Sequence, residues 1–210
     1  MNEHDTRQAM VELGLSLFNR GYATGGSGNL SARLDDGRII ATPTNSCLGR
    51  LRAEHLSLVD EEGRHLQGDK PTKELSFHLS LYQNDPGKRA VVHLHCTYLT
   101  ALSCLEGLDS SNVIRPFTPY YVMRVGQLPL IPYYHPGDER IARDLGDQAR
   151  DYNAFLLANH GPVVTGRDLY HAVDNMEELE ETARLALLLS QQQVRYLSEQ
   201  EVLELSRRKV

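Results

Sequence analysis

The stretch Ala90-Val91-Val92-His93-Leu94-His95 decides how this chain of 210 residues is expected to fold. An apolar run of this length predicts a buried strand, and the two histidines lie at its end. Alternate side chains of a strand share a face, so His93 and His95 project the same way while Leu94 turns into the core. Two imidazoles on one face can converge on a single metal ion. The alternative is a pair of hydrogen-bonded histidines near a sheet edge.

A third histidine favours the metal. The run Ala154-Phe155-Leu156-Leu157-Ala158 predicts another buried strand, and Asn159-His160-Gly161-Pro162 follows it directly. His160 is therefore expected where a strand ends and the chain turns. Three neutral imidazoles with an open position are typical of a catalytic zinc site, whereas a structural site is closed by four protein ligands. We predict that these histidines bind Zn²⁺, with another divalent metal as the alternative.

Composition excludes several classes of partner. The 28 acidic and 22 basic residues give a formal net charge of −6, and the basic residues form no stripe, so nucleic acid is not expected. No apolar segment approaches the roughly 20 residues that span a bilayer, and the polar N-terminus does not resemble a signal peptide. Three cysteines in unpaired spacing argue against a disulfide framework. We expect a cytoplasmic protein with no membrane partner, folded as one domain over residues 1–210.

Turn signals in the first third of the chain predict an antiparallel or mixed sheet. Asp36-Gly37 and Glu62-Gly63 each separate two short runs that read as strands, and such dipeptides are typical of hairpins. A further short strand is predicted over residues 127–132.

Helical spacing of apolar residues predicts helices around this sheet. Asp5 is expected to cap the first helix, Asp138 a helix that ends at Asp151, and Asp168 the longest helix. Another helix is expected after Pro71-Thr72. The pattern indicates an α/β fold in which helices cover one sheet.

Three loops offer many hydrogen-bond donors: Gly25-Gly26-Ser27-Gly28-Asn29, Thr42-Pro43-Thr44-Asn45-Ser46 and Pro71-Thr72-Lys73. The dense glycines of the first loop permit positive φ and let successive N–H groups face an anion, although a flexible turn is the alternative. Three such loops without a generally basic surface suit one small phosphorylated ligand.

Glu74 follows Lys73 at the start of a predicted helix. Its carboxylate either interacts with the helix dipole or, near a metal ion, acts as a fourth ligand or general base.

Tyr120-Tyr121 and Arg124 form another candidate group. Tyrosine can deliver a proton and arginine can bind a carboxylate through two parallel bonds, but adjacent tyrosines also serve as packing residues.

Together these motifs resemble the class II aldolase/adducin family, which includes fuculose-phosphate aldolases, rhamnulose-phosphate aldolases and ribulose-phosphate 4-epimerases. The resemblance covers most of the chain. It is carried by five motifs: Gly28-Asn29-Leu30-Ser31, Thr42-Pro43-Thr44, Glu74 with Phe77-His78, Val92-His93-Leu94-His95, and Asn159-His160-Gly161.

The resemblance implies a three-layer α/β/α fold with a mainly antiparallel or mixed central sheet, usually assembled as a homotetramer. It implies zinc held by His93, His95 and His160, and it gives Glu74 a role as acid/base as well as metal ligand. The tetramer would let a neighbouring subunit complete the site with a tyrosine, for which we select Tyr121. The residues expected to bind phosphate are Gly28, Asn29, Thr44 and Thr72.

Two residues depart from the fuculose-phosphate aldolases, because Asn45 and Lys73 replace small residues common there. Segments 44–50, 71–74 and 118–126 are more similar to the 3-oxo-tetronate 4-phosphate decarboxylases. That likeness implies zinc-dependent release of carbon dioxide through a metal-stabilised enediolate, giving dihydroxyacetone phosphate. Either Lys73 or Arg124 would hold the substrate carboxylate. The alternatives are a sugar-phosphate aldolase, then a 4-epimerase, and then an adducin-like interaction domain without catalysis.

Overall fold

The computed structural model describes residues 2–208, and two antiparallel hairpins open its sheet where the turn signals predict them. Gly37 and Gly63 take positive φ in these turns, as hairpin turns require. The eight strands are β1 (Asn29–Arg33), β2 (Ile39–Ala41), β3 (Ser57–Val59), β4 (His65–Gln67), β5 (Ala90–His93), β6 (Leu130–Ile131), β7 (Ala154–Leu157) and β8 (Gly161–Gly166).

The strands are arranged in the order β4-β3-β2-β1-β5-β8-β7-β6. Among the described residues only β6 and β7 pair in parallel, so the expected mainly antiparallel, mixed sheet is confirmed. β6 is shorter than the strand that was expected over residues 127–132.

Within residues 2–208 there are six α-helices: α1 (Glu3–Asn19), α2 (Leu75–Asn84), α3 (Thr97–Ser103), α4 (Glu139–Asp147), α5 (Leu169–Leu188) and α6 (Glu199–Ser206). The prediction that Asp5 caps α1 is wrong, because the cap is Asn2, whose side chain accepts a hydrogen bond from the Asp5 backbone N–H. Asp138 and Asp168 do cap α4 and α5. α4 ends before the expected Asp151, because Gln148 leaves the helical conformation at φ −107 and ψ 4, and the Ala149 N–H bonds to the Gly146 carbonyl only three residues back.

Alternation along the strands divides the core into two layers. In β5, Ala90 and Val92 belong to the cluster that includes residues of α1, α3 and α5, whereas Val91 belongs to the cluster that includes residues of α2 and α4. Helices therefore cover both faces of the sheet, and the expected three-layer α/β/α fold is confirmed.

The strand register brings the motif residues to one edge of the sheet. Asn29 on β1 pairs with His93 on β5, and His93 pairs in turn with Val163 on β8. The turn that carries His160 precedes β8 and so lies at the same edge. Within residues 2–208 none of the helices combines the length and apolarity needed to cross a bilayer.

Candidate metal centre and substrate pocket

Three histidines from two parts of the chain meet at this sheet edge. His93 ends β5, His95 follows two residues later, and His160 lies in the tight turn between β7 and β8. Asn159 takes φ +55 in that turn, a conformation that asparagine tolerates better than most residues. The three side chains each offer one ligand atom, and these atoms lie within 4.8 Å of one another.

The protonation state of His93 suits metal binding. Its Nδ1 donates to the Pro162 carbonyl oxygen at 2.8 Å, which leaves the lone pair of Nε2 directed at the cluster. Burial lowers the pKa of His93 to about 4, so the ring is neutral at neutral pH. Burial also lowers the pKa of His95, with the neighbouring His160 adding to the effect.

Glu74 faces the same cluster. It lies at the start of α2, but its side chain makes no capping hydrogen bond. Its two carboxylate oxygens lie 3.4 Å from His93 Nε2 and 3.5 Å from His160 Nε2. Burial opposes ionisation of the carboxyl, yet the adjacent His93 and a hydrogen bond from Asn29 outweigh it and lower the pKa of Glu74.

These four residues fit a divalent ion. Zinc bonds of about 2.0 to 2.1 Å in tetrahedral geometry place neighbouring ligand atoms about 3.3 Å apart. His93 Nε2 and His95 Nε2 are separated by 3.1 Å, close to the 3.4 and 3.5 Å that separate the Glu74 oxygens from His93 Nε2 and His160 Nε2. The donor set of three imidazoles and one carboxylate suits Zn²⁺ and other first-row divalent metals.

A pocket of about 190 Å³ opens beside the cluster and is lined by His95 and Glu74. All three donor-rich loops reach it. The expected ligand-binding residues that line it are Gly28, Asn29, Thr44, Asn45, Thr72 and Lys73. Their convergence beside the metal cluster fits the small phosphorylated ligand that the loops predict.

Backbone geometry keeps these loops close to the metal cluster. Gly28 has φ +80, and a Cβ there would lie 2.9 Å from the His93 carbonyl oxygen, so only glycine fits. Asn45 has φ +57, a conformation that glycine adopts easily and asparagine tolerates. The asparagine that departs from the fuculose-phosphate aldolases is therefore compatible with this loop conformation.

Asn29 lines the pocket and contacts Glu74 directly. Its Nδ2 donates to the Glu74 carboxylate at 2.7 Å, and its Oδ1 lies 2.6 Å from His78 Nε2. Its amide thus holds the acid/base candidate, and Nδ2 keeps one further hydrogen for a ligand.

Tyr121 stays a prediction as the tyrosine shared with a neighbouring subunit. Within its own chain Tyr121 is fully buried, and its hydroxyl donates to Asn112 Oδ1 at 2.9 Å. The adjacent Tyr120 is 54% exposed and is the tyrosine available for such a contact.

Arg124 lies apart from the cluster within its own chain. It lines a separate groove of about 540 Å³ together with Lys88 and Asn153, and none of the three histidines lines that groove. Arg124 also lies 3.8 Å from Asp174. Lys73 is the candidate cation that the fold places beside Glu74.

Two lining residues were missed in the sequence. Pro136 and Gly137, in the loop between β6 and α4, close one side of the pocket. A Pro-Gly turn directly before the Asp138 cap was a visible signal of a loop, but only the parallel pairing of β6 with β7 shows which edge it reaches.

Known proteins share this chain's sequence and fold. The family model of the Class II Aldolase and Adducin N-terminal domain matches residues 8–187. A 3-oxo-tetronate 4-phosphate decarboxylase of Pectobacterium atrosepticum is 62% identical over 205 residues, which cover 98% of this chain and 94% of the relative. An L-fuculose phosphate aldolase of Methanococcus maripaludis is 36% identical over 174 residues, covering 83% of this chain and 92% of the relative.

Among solved structures, YgbL of Klebsiella pneumoniae, described as an aldolase, epimerase or decarboxylase, matches with a TM-score of 0.96 and 59% identity. The match covers 98% of this chain and 99% of that one. Decarboxylases and aldolases both break carbon–carbon bonds, and this chain is a lyase of that kind. The match over residues 8–187 and the decarboxylase relatives over nearly the full length show that the chain belongs to the class II aldolase/adducin family.

Proposed function

We propose that this enzyme releases carbon dioxide from a 3-oxo-tetronate 4-phosphate and forms dihydroxyacetone phosphate. The observation that carries the proposal is the place of Lys73, which lines the pocket beside Glu74 together with three loops suited to phosphate. A substrate with both a phosphate and a carboxylate matches this arrangement, because each anion meets its own donors. The 62% identity to a decarboxylase of that name, against 36% to a fuculose phosphate aldolase, supports the same choice.

Within this proposal the pocket residues bind and orient the substrate. The backbone N–H groups of Gly28 and Asn45, with the Thr44 and Thr72 side chains, hold the phosphate. Lys73 holds the carboxylate out of the plane of the neighbouring carbonyl, so that the breaking bond aligns with the carbonyl π system.

Glu74 transfers the proton in the proposed reaction. When the bond to the carboxylate breaks, its electron pair moves into the adjacent carbonyl, and uptake of one proton at the former α-carbon completes dihydroxyacetone phosphate. The lowered pKa keeps Glu74 ionised and able to take a proton from solvent and pass it to that carbon, while the substrate hydroxyl keeps its own proton in the product. We propose Zn²⁺ as the ion held by His93, His95, His160 and Glu74; when bound, it supplies positive charge beside the developing oxyanion.

The assembly and location are proposals as well. The family resemblance supports a homotetramer, and the family match over residues 8–187 supports a single domain. A cytoplasmic enzyme of sugar-acid catabolism agrees with the name of the decarboxylase relatives.

Product analysis tests the proposed reaction. We expect the zinc-loaded enzyme to convert a 3-oxo-tetronate 4-phosphate to carbon dioxide and dihydroxyacetone phosphate, both followed by NMR, and to lose this activity after chelation. The second candidate is a sugar-phosphate aldolase, favoured by the match to the fuculose phosphate aldolase. Cleavage of L-fuculose 1-phosphate without carbon dioxide from any phosphorylated oxo-tetronate would replace the decarboxylase with that aldolase.

A further inference from the structure

Four polar side chains lie buried between β1 and α2, behind Glu74. Asn29 and Ser31 come from β1, and His78 and Tyr82 come from α2; their exposed fractions are 5%, 0%, 0% and 2%. The proposed reaction uses neither Ser31, His78 nor Tyr82. Burying four polar side chains costs free energy unless each one is hydrogen-bonded. We therefore asked which groups they bond and what those bonds position.

Their contacts form one chain of hydrogen bonds that ends at Glu74. The Tyr82 hydroxyl lies 2.7 Å from Ser31 Oγ, and Ser31 Oγ lies 2.7 Å from His78 Nδ1. His78 Nε2 lies 2.6 Å from Asn29 Oδ1. Asn29 Nδ2 then donates to Glu74 Oε2 at 2.7 Å.

The chemistry of the groups fixes the direction of every bond. An ionised carboxylate only accepts, so Asn29 turns its NH₂ group to Glu74 and its oxygen to His78. His78 must therefore carry its proton on Nε2. Burial lowers the pKa of His78 to about 3, so the ring has a single proton and Nδ1 accepts from Ser31. Ser31 Oγ in turn accepts from Tyr82.

The orientation of Asn29 depends on this direction. A flipped amide would place its oxygen against the Glu74 carboxylate and its NH₂ group against the Nε2–H of His78, and both contacts would be repulsive. The flip is compatible only with the other tautomer of His78, in which Nδ1 carries the proton. In that tautomer Ser31 would accept from Nδ1 and donate to Tyr82, so the buried Tyr82 hydroxyl would lose Ser31 as the acceptor for its own proton.

We propose that His78 and Ser31 are positioning residues, which hold the Asn29 amide in the one orientation that donates to Glu74 and keeps its carboxylate at the metal cluster. The inference rests on the proposed function for its kinetic consequence, because Glu74 is the proton carrier there. The orientation of the Asn29 amide and the tautomer of His78 do not depend on the identity of the substrate.

The first test measures the tautomer of His78 in the metal-free protein by ¹⁵N NMR of labelled histidine. The chain has nine histidines, and the signals that disappear in His78→Gln identify this one. We expect the proton on Nε2 in the wild type and a measurable share of the Nδ1-protonated form in Ser31→Ala. A proton on Nδ1 in the wild type would overturn the proposal.

The second test compares three variants by kcat and KM. Glutamine at 78 can still donate toward Asn29, whereas leucine cannot, so we expect His78→Gln to stay within about threefold of wild type. His78→Leu should lose about 10- to 100-fold in kcat with a smaller change in KM, a range typical of residues that orient a metal ligand. Leu79→Ala on the same helix lies outside the chain of hydrogen bonds and serves as the control for core packing.

A purely structural role gives a different pattern. In that case His78→Gln and His78→Leu would lower thermal stability but leave kcat unchanged among the folded molecules, and the proposal would be wrong. If His78→Leu does not fold, the tautomer measurement and the kcat of Ser31→Ala decide. A wild-type enzyme that releases no carbon dioxide would defeat the proposed function, while the tautomer would still decide the role of His78 and Ser31.

Discussion

His93 donates from Nδ1 to the carbonyl oxygen of Pro162 at 2.8 Å. Pro162 lies on β8, two residues after His160, so the hairpin that carries the third histidine also fixes the tautomer of the first. Gly161 makes this close approach possible, since a Cβ there would lie 2.6 Å from the Leu94 carbonyl oxygen. The two halves of the metal site are thus held together by backbone contacts before any ion binds.

Metal content tests the histidine cluster. We expect His95→Ala to lose most of its zinc, measured by inductively coupled plasma mass spectrometry on the purified protein, because only two imidazoles and Glu74 remain. The matched control is His65→Ala, which removes an exposed histidine on the edge strand β4. Undiminished zinc in His95→Ala would show that the ion binds elsewhere.

Turnover tests Glu74 as the proton carrier. Glu74→Gln keeps the size of the side chain but removes its basic carboxylate, so we expect kcat to fall about 10²-fold or more with the fold retained by circular dichroism. Glu54→Gln, an exposed carboxylate at Ala53–His55, should leave kcat unchanged. Near-normal turnover in Glu74→Gln would assign proton transfer to another group.

The two candidate cations give separate expectations. Lys73 lines the pocket and Arg124 does not, so Lys73→Met should lower kcat/KM for carbon dioxide release by at least about tenfold, the lower bound for loss of a charge-assisted contact to a carboxylate. Lys70→Met, an exposed lysine in the same loop, is the control. A larger loss in Arg124→Met than in Lys73→Met would indicate that a neighbouring subunit contributes the carboxylate site.

The sequence predicted the parts of the site that depend on local pattern. Strand alternation gave His93 and His95 one face, and the Asn-His-Gly-Pro turn placed His160 at a strand end. The choice of Tyr121 over Tyr120 for the shared site stays a prediction, because two adjacent tyrosines look alike in a sequence. Only the turn at Tyr121–Val125 and the contact with Asn112 show that one of them points into the core. The role of Asn29 was also hidden, since its partners Glu74 and His78 are 45 and 49 residues away.

A shared active site can now be tested with the exposed tyrosine. If a homotetramer completes the site, Tyr120→Phe should lower kcat clearly, whereas Tyr121→Phe should mainly lower thermal stability through loss of the Asn112 hydrogen bond. Mixing inactive His95→Ala chains with Tyr120→Phe chains should restore part of the activity, because some sites then receive both intact residues. A fully active monomer in sedimentation at micromolar concentration would exclude this arrangement.

Acid stability of the metal-free protein provides a last prediction, which rests on His78. Burial is the main cause that lowers the pKa of His78 from its ordinary value of 6.5 to about 3 in the folded protein. Between these values the unfolded chain binds the additional proton, so the free energy of unfolding falls as the pH falls from about 6.5 towards 3. For one proton the slope reaches about 1.4 kcal/mol per pH unit. The contribution is fully present above pH 6.5 and is lost on acidification.

Urea unfolding between pH 7 and pH 4.5, followed by circular dichroism in the presence of a chelator, measures this slope. His93 and His95 also have lowered pKa values and add to the slope in both proteins, so the comparison of wild type with His78→Gln isolates the single residue. We expect the slope of His78→Gln to be shallower by close to one proton, because glutamine does not titrate. Equal slopes in the two proteins would mean that His78 is not held neutral by burial. Nδ1 of a protonated ring would donate to Ser31, so the direction assigned to that hydrogen bond would then be reversed.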